Sequence, residues 1–276
     1  IKDQARRLAE RLRVRGLMNL QLAVKDDRIF ILEVNPRASR TAPFVSKAKG
    51  VPWPRIAAKV MMGKTLEELG FTEEVVPTRF NVKAPVFPFN KFPGVDMLLS
   101  PEMRSTGEVM GIDPDLGYAL AKAYEGAGMR LPLRGRVLLT VKESDKRSII
   151  SEARTLSQLG YELVATGGTW QALRAAGLPV ERINKLHEGR PHIVDAIKNG
   201  EIDMVFNTPS GRATRHDDTY IRSTSISTGI PCVTTLAGIR AVVSGLAALH
   251  KGPITVRSLQ EIQGHAAEAR EEHAHS

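Results

Sequence analysis

The spacing of apolar positions changes character several times along the chain. Over residues 1–13, Leu8, Ala9 and Leu12 recur among arginines with the period of an amphipathic helix, and Gly16 breaks the pattern. Strict alternation follows. Met18, Leu20, Leu22 and Val24 share one face, Asp26-Asp27 marks a turn, and residues 28–34 return, which predicts a β-hairpin. A helical pattern covers residues 44–62 and is interrupted by Val51-Pro52-Trp53-Pro54; a shorter helix is expected over 65–69, closed by Gly70. Residues 71–101 are rich in proline and phenylalanine. Their apolar content is too high for a solvated linker, so they read as an irregular packed segment with short strands. A strand over 108–112 and a helix over 114–127, ended by Gly128, complete this first portion.

A boundary falls at Leu131-Pro132-Leu133-Arg134-Gly135, after which strands and helices alternate. Strands are expected over 136–141, 161–165, 180–183, 202–207 and 232–235, and helices over 144–159, 169–176, 191–198, 217–227 and 236–249. About five such alternations predict an α/β domain with a parallel sheet and helices on both faces. The expected organisation is residues 1–130, then 131–263, then a frayed tail over 264–276 whose His265, His273 and His275 are solvated rather than metal ligands.

Length and composition narrow the classes. The 276 residues suffice for about two domains, and 42% hydrophobic content argues for packed cores. No apolar run is long enough to span a bilayer, so no membrane partner is expected. The single cysteine, Cys232, excludes an internal disulfide and suits the cytoplasm. The net charge of +9 favours anionic partners, but the basic residues are scattered and only 5% of residues are aromatic, which argues against nucleic acid. The start at Ile1, inside a helical pattern, reads as a piece of a longer polypeptide.

The C-terminal portion is organised around Val164-Ala165-Thr166-Gly167-Gly168-Thr169-Trp170. A buried strand stops at two glycines and resumes as a helix. Glycines let backbone approach a ligand, and the first N–H groups of a helix attract an anion. The simpler alternative is a tight turn with Thr169 as N-cap. In parallel sheets ligands sit at the C-terminal ends of strands, and those ends here carry polar residues: Lys142, Thr166, Asn207 with Thr208, and Thr234 with Thr235. That convergence favours a phosphate site. In the first portion, Glu33 and Asn35 are two apart at a strand end and project to one side, with Gln21 on the partner strand. A carboxylate and amide oxygens form a hard donor set suited to Mg²⁺ or Mn²⁺, and Arg37 and Arg40 could hold phosphate oxygens. The alternative is a solvated strand end capped by ordinary charges.

Longer runs carry a family resemblance. Glu33-Val34-Asn35-Pro36-Arg37-Ala38-Ser39-Arg40-Thr41 is similar to the end of an ATP-grasp domain. Pro88-Phe89-Asn90-Lys91-Phe92-Pro93-Gly94-Val95-Asp96, Pro101-Glu102-Met103-Arg104-Ser105-Thr106-Gly107-Glu108-Val109 and Lys185-Leu186-His187-Glu188-Gly189-Arg190-Pro191-His192 narrow it. Together, from about Leu12 to Gln263, they resemble the C-terminal part of the carbamoyl-phosphate synthetase large subunit. The resemblance implies the distal portion of the second ATP-grasp unit, which phosphorylates carbamate, followed by a doubly wound methylglyoxal-synthase-like regulatory domain. It places ATP with Mg²⁺ or Mn²⁺ at Gln21, Glu33 and Asn35, with Arg37 and Arg40 at the phosphates. It places a nucleotide monophosphate effector, UMP or IMP, at Lys146, Thr166, Thr169, Lys185 and Asn207, to which the glycine turn and strand-end reading adds Gly167, Gly168 and Thr208. The implied partners are the remainder of the large subunit, a small glutamine-amidotransferase subunit and a second copy of the regulatory domain. The sequence departs from the pattern at the family's ornithine site. Relatives from enteric bacteria carry a glutamate where this chain has Ala84, and aromatic and acidic residues where it has Cys232 and Val233; only Thr234 remains. Pro209 replaces a threonine near the effector. The rival reading is a methylglyoxal synthase-like lyase acting on a phosphorylated triose. That chemistry needs a carboxylate and a histidine beside the phosphate; Asp217, Asp218 and His216 are candidates, but the expected Gly-Gly-Asp run is missing.

Overall fold

The computed structural model describes residues 1–91, 102–209 and 215–264. The runs through Phe92–Asp96 and Pro101, the Ser210-Gly211 turn, the His216 side chain and the tail with His265, His273 and His275 lie outside the described residues. Two compact units are present, Ile1–Thr78 with the stretch from Val256, and Arg79–Thr255.

The first unit contains α1 (Lys2–Arg11), a hairpin of β1 (Asn19–Lys25) and β2 (Arg28–Asn35), α2 (Ala42–Lys49) and α3 (Trp53–Met61). The hairpin forms because Asp26 and Asp27 both take left-handed backbone, at φ +50° and +60°, which matches the right-handed twist of paired strands. The register shifts after Gln21: it pairs with Glu33, whereas Leu22 pairs with Ile31, so Leu32 is the extra residue of a bulge. The helix expected over 65–69 is a single turn instead. Its start signal is real, since Glu68 N donates to Thr65 Oγ1 (3.2 Å) and Thr65 N to Glu68 Oε2 (2.9 Å). Gly70, at φ +70°, ends it before a second turn can form.

The second unit begins with β3 (Phe80–Val86) and β4 (Gly107–Asp113), an antiparallel pair within and after the segment read as irregular. Pro85 is tolerated in β3 because the sheet has only two strands and therefore only edges. Then follow α4 (Leu116–Gly126), β5 (Arg136–Thr140), α5 (Ile149–Gln158), β6 (Glu162–Thr166), α6 (Gly167–Ala175), β7 (Glu181–Ile183), α7 (Ile193–Lys198), β8 (Met204–Asn207), α8 (Arg215–Ser227), β9 (Cys232–Val233) and α9 (Leu236–Leu249). The helix expected to start at 144 opens as a 3-10 turn over Glu143–Asp145, and α5 proper starts at Ile149.

β5 to β9 form one parallel sheet in the order β7-β6-β5-β8-β9. The α/β, doubly wound expectation is met. Successive residues of β5 serve opposite faces. Val137 and Leu139 join a core with Ile149, Leu156, Leu173, Ile239, Val242 and Leu246, contributed by α5, α6 and α9. Leu138 joins a second core with Ile193, Ile197, Val205 and Ile221, from α7, β8 and α8. The sheet order reverses at β5, whose neighbours β6 and β8 lead away in opposite directions, and this opens a crevice at their C-terminal ends.

The compact unit reaches back well before the boundary expected at 131. Asp115 caps α4, its Oδ1 accepting from Gly117 N (2.7 Å) and Tyr118 N (3.2 Å). α4 then lays a stripe of Gly117, Ala119, Ala121 and Ala123 into the interior, packed on β4 and α9. A β-carbon on Gly117 would meet the Ser244 carbonyl oxygen of α9, and one on Gly111 would collide with the Ala119 carbonyl. This close packing ties β4 and α4 to α9 of the parallel-sheet portion. Among the described residues, no helix is long and apolar enough to cross a membrane.

Candidate functional site

A cavity of about 230 Å³ opens at the C-terminal ends of β5 and β6, where the crevice is expected. Thr140, Thr166, Gly168, Thr169, Lys146 and Lys185 line it together with Glu143, Leu186, Asp217 and Asp218. The strand order brings together residues that are far apart in sequence: Thr166 at the end of β6, Lys146 before α5, Lys185 after β7.

Each group has a local reason for its place. Gly168 leaves room for the Lys146 ammonium, which a β-carbon at 168 would strike. That ammonium also donates to the Glu143 carboxylate, three residues earlier. Thr166 Oγ1 donates to Thr140 Oγ1 (2.9 Å), tying the ends of two adjacent strands. Thr166 is the residue preceding α6, and its side chain does not cap the helix. Thr166 holds the N-cap position, and Thr169 lies inside the first turn of α6. Its buried hydroxyl accepts from Val141 N (3.1 Å) and donates to Val141 O (3.4 Å), locking the loop after β5 to the first turn of α6. Gly167 stands at φ +24°, at the strand-to-helix corner.

Of the predicted effector residues, Lys146, Thr166, Gly168, Thr169 and Lys185 share the cavity. Asn207 and Thr208 stand behind its wall, 0% and 2% exposed. The Asn207 amide donates to Asp218 Oδ1 (3.1 Å) and accepts from Arg222 Nη1 (3.1 Å), while Thr208 Oγ1 accepts from Lys142 N (3.0 Å). Arg222 is fully buried and was not singled out from the sequence, because an arginine in a helical pattern reads as surface. His187 was also missed. Its Nδ1 lies 3.0 Å from Asp217 Oδ2 at the cavity. The signal was available, since His187 follows Lys185 by two residues.

In the first unit, the structure brings Gln21, Glu33 and Asn35 together. Glu33 Oε1 accepts from Gln21 Nε2 (2.7 Å) and from Asn35 Nδ2 (2.8 Å). The cross-strand pairing of Gln21 with Glu33 supplies one contact and the two-residue strand period the other. The three side chains offer hard oxygens on an accessible surface, and turning the two amides would aim those oxygens at a cation. The donor set therefore fits Mg²⁺ or Mn²⁺ when phosphate oxygens fill the rest of the shell. No group of three or more His, Cys, Asp or Glu that could hold a metal occurs among the described residues. Arg37 donates to Ala38 O (3.0 Å) and lines a second cavity of about 270 Å³ with Asn19, Ser39, Thr41, Lys49 and Trp53. Arg40 is exposed and is not part of that lining.

At the positions that the resemblance assigns to ornithine, no carboxylate is present. Ala84, Cys232 and Val233 are all buried in strands β3 and β9, and Thr234 is half-buried.

Comparison with known proteins agrees with the resemblance. Residues 148–234 match the model of the MGS-like domain, and residues 1–69 match the carbamoyl-phosphate synthase L chain, ATP binding domain. Over 92% of its length the chain is 51% identical to the carbamoyl phosphate synthase large chain of Nostoc sp., covering 24% of that protein. It is 53% identical over 89% of its length to that of Ralstonia nicotianae, covering 23%, and 49% identical over 95% to that of Archaeoglobus fulgidus, covering 24%. The chain thus spans about a quarter of the length of the curated relatives it matches.

Proposed function

We propose, on the premise that this chain shares its family with the carbamoyl phosphate synthase large chains, that it acts as one part of such a large chain. The whole protein would phosphorylate carbamate with ATP, in pyrimidine and arginine biosynthesis, and this portion would contribute two elements. Gln21, Glu33 and Asn35 would hold Mg²⁺ or Mn²⁺ beside ATP, with Arg37 and Arg40 toward its phosphates. The metal supplies charge neutralisation at the phosphates when bound; the chain's own part is to present one carboxylate and two amide oxygens at a strand end. The adenine pocket and further cations of an ATP-grasp unit would come from the remainder of the large subunit. A small glutamine-amidotransferase subunit would supply ammonia, and the setting would be cytoplasmic.

The second element is allosteric. A nucleotide monophosphate would place its phosphate among Lys146, Thr166, Gly168, Thr169 and Lys185, and we favour UMP over IMP. The convergence of two lysines and a glycine corner on one cavity at the strand ends carries this reading. Each charge-assisted bond to phosphate is worth roughly 1.5–3 kcal/mol. Removing either lysine should therefore weaken binding about tenfold to a hundredfold. Titration of wild type, Lys146→Ala and Lys185→Ala with UMP and uridine tests it. Uridine binding as tightly as UMP, or indifference to both lysines, would sink the phosphate assignment. In the complete large chain, Glu33→Gln should abolish carbamate phosphorylation without unfolding the protein; normal synthesis would refute the metal role.

The lyase reading has one observation on its side, the Asp217–His187 pair at the cavity. It is not favoured, because the relatives are named carbamoyl phosphate synthase large chain and the match extends through residues 1–69, for which a stand-alone lyase has no use.

A further inference from the structure

The chain passes between its two units twice, after Thr78 and again after Thr255, so the residues from Val256 on belong to the first unit. The second passage is a short stretch of chain held at both ends.

In the second unit it leaves the end of α9. Gly252 O accepts from the Tyr118 hydroxyl of α4 (3.3 Å). His250 Nε2 lies 3.4 Å from the Tyr161 hydroxyl oxygen. That hydroxyl gives its one proton to Pro132 O (2.6 Å), so the imidazole is the donor to it. In the first unit the chain is gathered by a capping box. Ser258 N donates to Glu261 Oε2 (2.8 Å), and Glu261 N donates to Ser258 Oγ (3.2 Å). A helical turn follows over 259–264, with Leu259, Ile262 and Gln263 half-buried. Gln263 Nε2 donates to Lys47 O (3.2 Å), one of the last carbonyls of α2, which find no partner inside their own helix. The same side chain lies against Gly50, the left-handed C-cap of α2. Between these anchors residues 253–257 form no helix or strand, and Val256 is 92% exposed.

Both anchors sit on elements next to a candidate site. α9 places Ile239, Val242 and Leu246 in the core that also holds Leu139 and Leu173, from the strand and helix at the effector cavity. α2 begins two residues after Arg40, and its Ala42, Val45 and Lys49 line the cavity of Arg37. A shift of α2 therefore moves the wall beside the residues read as phosphate contacts.

We propose that residues 250–264 are a coupling strap, through which occupancy of the effector cavity acts on α2 in the first unit. This rests on the effector reading above and goes beyond it by naming the element that carries the signal. Coupling between sites needs an element that both of them bias. Chain held at its two ends transmits a pull, whereas a glycine–serine insert takes up the displacement as flexible coil.

The test is a short glycine–serine insert between Thr255 and Val256, which keeps both anchors. UMP binding is measured by calorimetry on the 276-residue chain, and carbamate phosphorylation on the complete large chain. The insert should leave UMP affinity and the rate without UMP as in wild type. A coupling of ordinary size changes the wild-type rate about fivefold or more at saturating UMP; the insert should cut that response below about twofold. Gln263→Ala checks the anchor. It should lower the melting midpoint followed by Trp53 emission in the Trp170→Phe background, and leave that of Trp170 in the Trp53→Phe background. A full UMP response in the insert variant, or a Trp53 midpoint that Gln263→Ala does not move, would overturn the strap. UMP that binds wild type without changing its rate would overturn the coupling and leave the effector site standing. Failure of wild type to bind UMP would overturn the effector reading and this proposal with it.

Discussion

The two candidate sites are built in opposite ways. Gln21, Glu33 and Asn35 meet on one hairpin, through a cross-strand pair and a two-residue strand period, and stay accessible to solvent. The cavity of the second unit gathers residues from 140 to 221, from the ends of β5 and β6, the turns after β5 and β7, and helices α6, α7 and α8, with a fully buried arginine on α8 bonded to Asn207 at the end of β8. A site made by local geometry can be altered without touching the fold, but it is open on one side and needs a ligand to complete it. A site made by strand order is enclosed and preorganised, and its supports are part of the core.

The sharpest way to break this contrast is Arg222→Leu. Removing a buried guanidinium leaves Asn207 Oδ1 without its donor, and an unsatisfied buried acceptor costs about 1–3 kcal/mol before the lost packing is counted. Urea unfolding of the 276-residue chain should show it; a change below about 1 kcal/mol would mean the cavity's support is separable from the fold. Next is Gly111→Val, which tests how far the second unit extends. A side chain there must displace α4 backbone, and overpacking costs about 1–3 kcal/mol. If the parallel-sheet transition is unaffected, α4 is an accessory rather than part of that unit.

Gly168→Ala separates binding from stability. The obstructing atom is the end of the flexible Lys146 side chain, which can swing aside, so the fold should hold. The displaced ammonium should weaken UMP binding about tenfold, one charge-assisted bond. In alkali a further difference should emerge. Burial pushes the Tyr161 hydroxyl up to about 12 from an ordinary 10.0. A raised folded value means the unfolded chain loses its proton first, so this contribution is full below pH 10 and is lost as pH rises toward 12. The denaturation midpoint of the second unit should fall over that window, and Tyr161→Phe should flatten the fall. The smallest expected effect is that of Glu33→Gln on stability. The side chain is exposed and glutamine keeps an oxygen for Gln21 and Asn35, so the change should stay within about 0.5 kcal/mol. A larger loss would show that the hairpin site is structural.

Periodicity alone was enough for the elements and the fold class. The alternation over 18–34 and the strand–helix rhythm after 135 are local consequences of side-chain direction, period two in strands and 3.6 in helices. The Glu33–Asn35 pairing was legible for the same reason, because both its contacts span one strand or one strand pair. The glycine corner at Gly167-Gly168 was legible too, since a strand stopping at two glycines and resuming as a helix is written in adjacent residues. The expected helix over 65–69 failed where a good start signal met an early stop at Gly70. What tertiary structure decided lies in long-range pairing. The order β7-β6-β5-β8-β9 chooses which strand ends face one cavity, and no local rule contains that order. It set Lys146 against Gly168, brought His187 to Asp217, and turned Asn207 from an exposed strand-end amide into a buried link between Arg222 and Asp218. It also joined α4 to α9 through a stripe of glycine and alanine. Local sequence specifies backbone conformation and facing, because those are set within a few bonds; which faces meet is set by burial of apolar surface across the whole unit, a sum that only the folded chain performs.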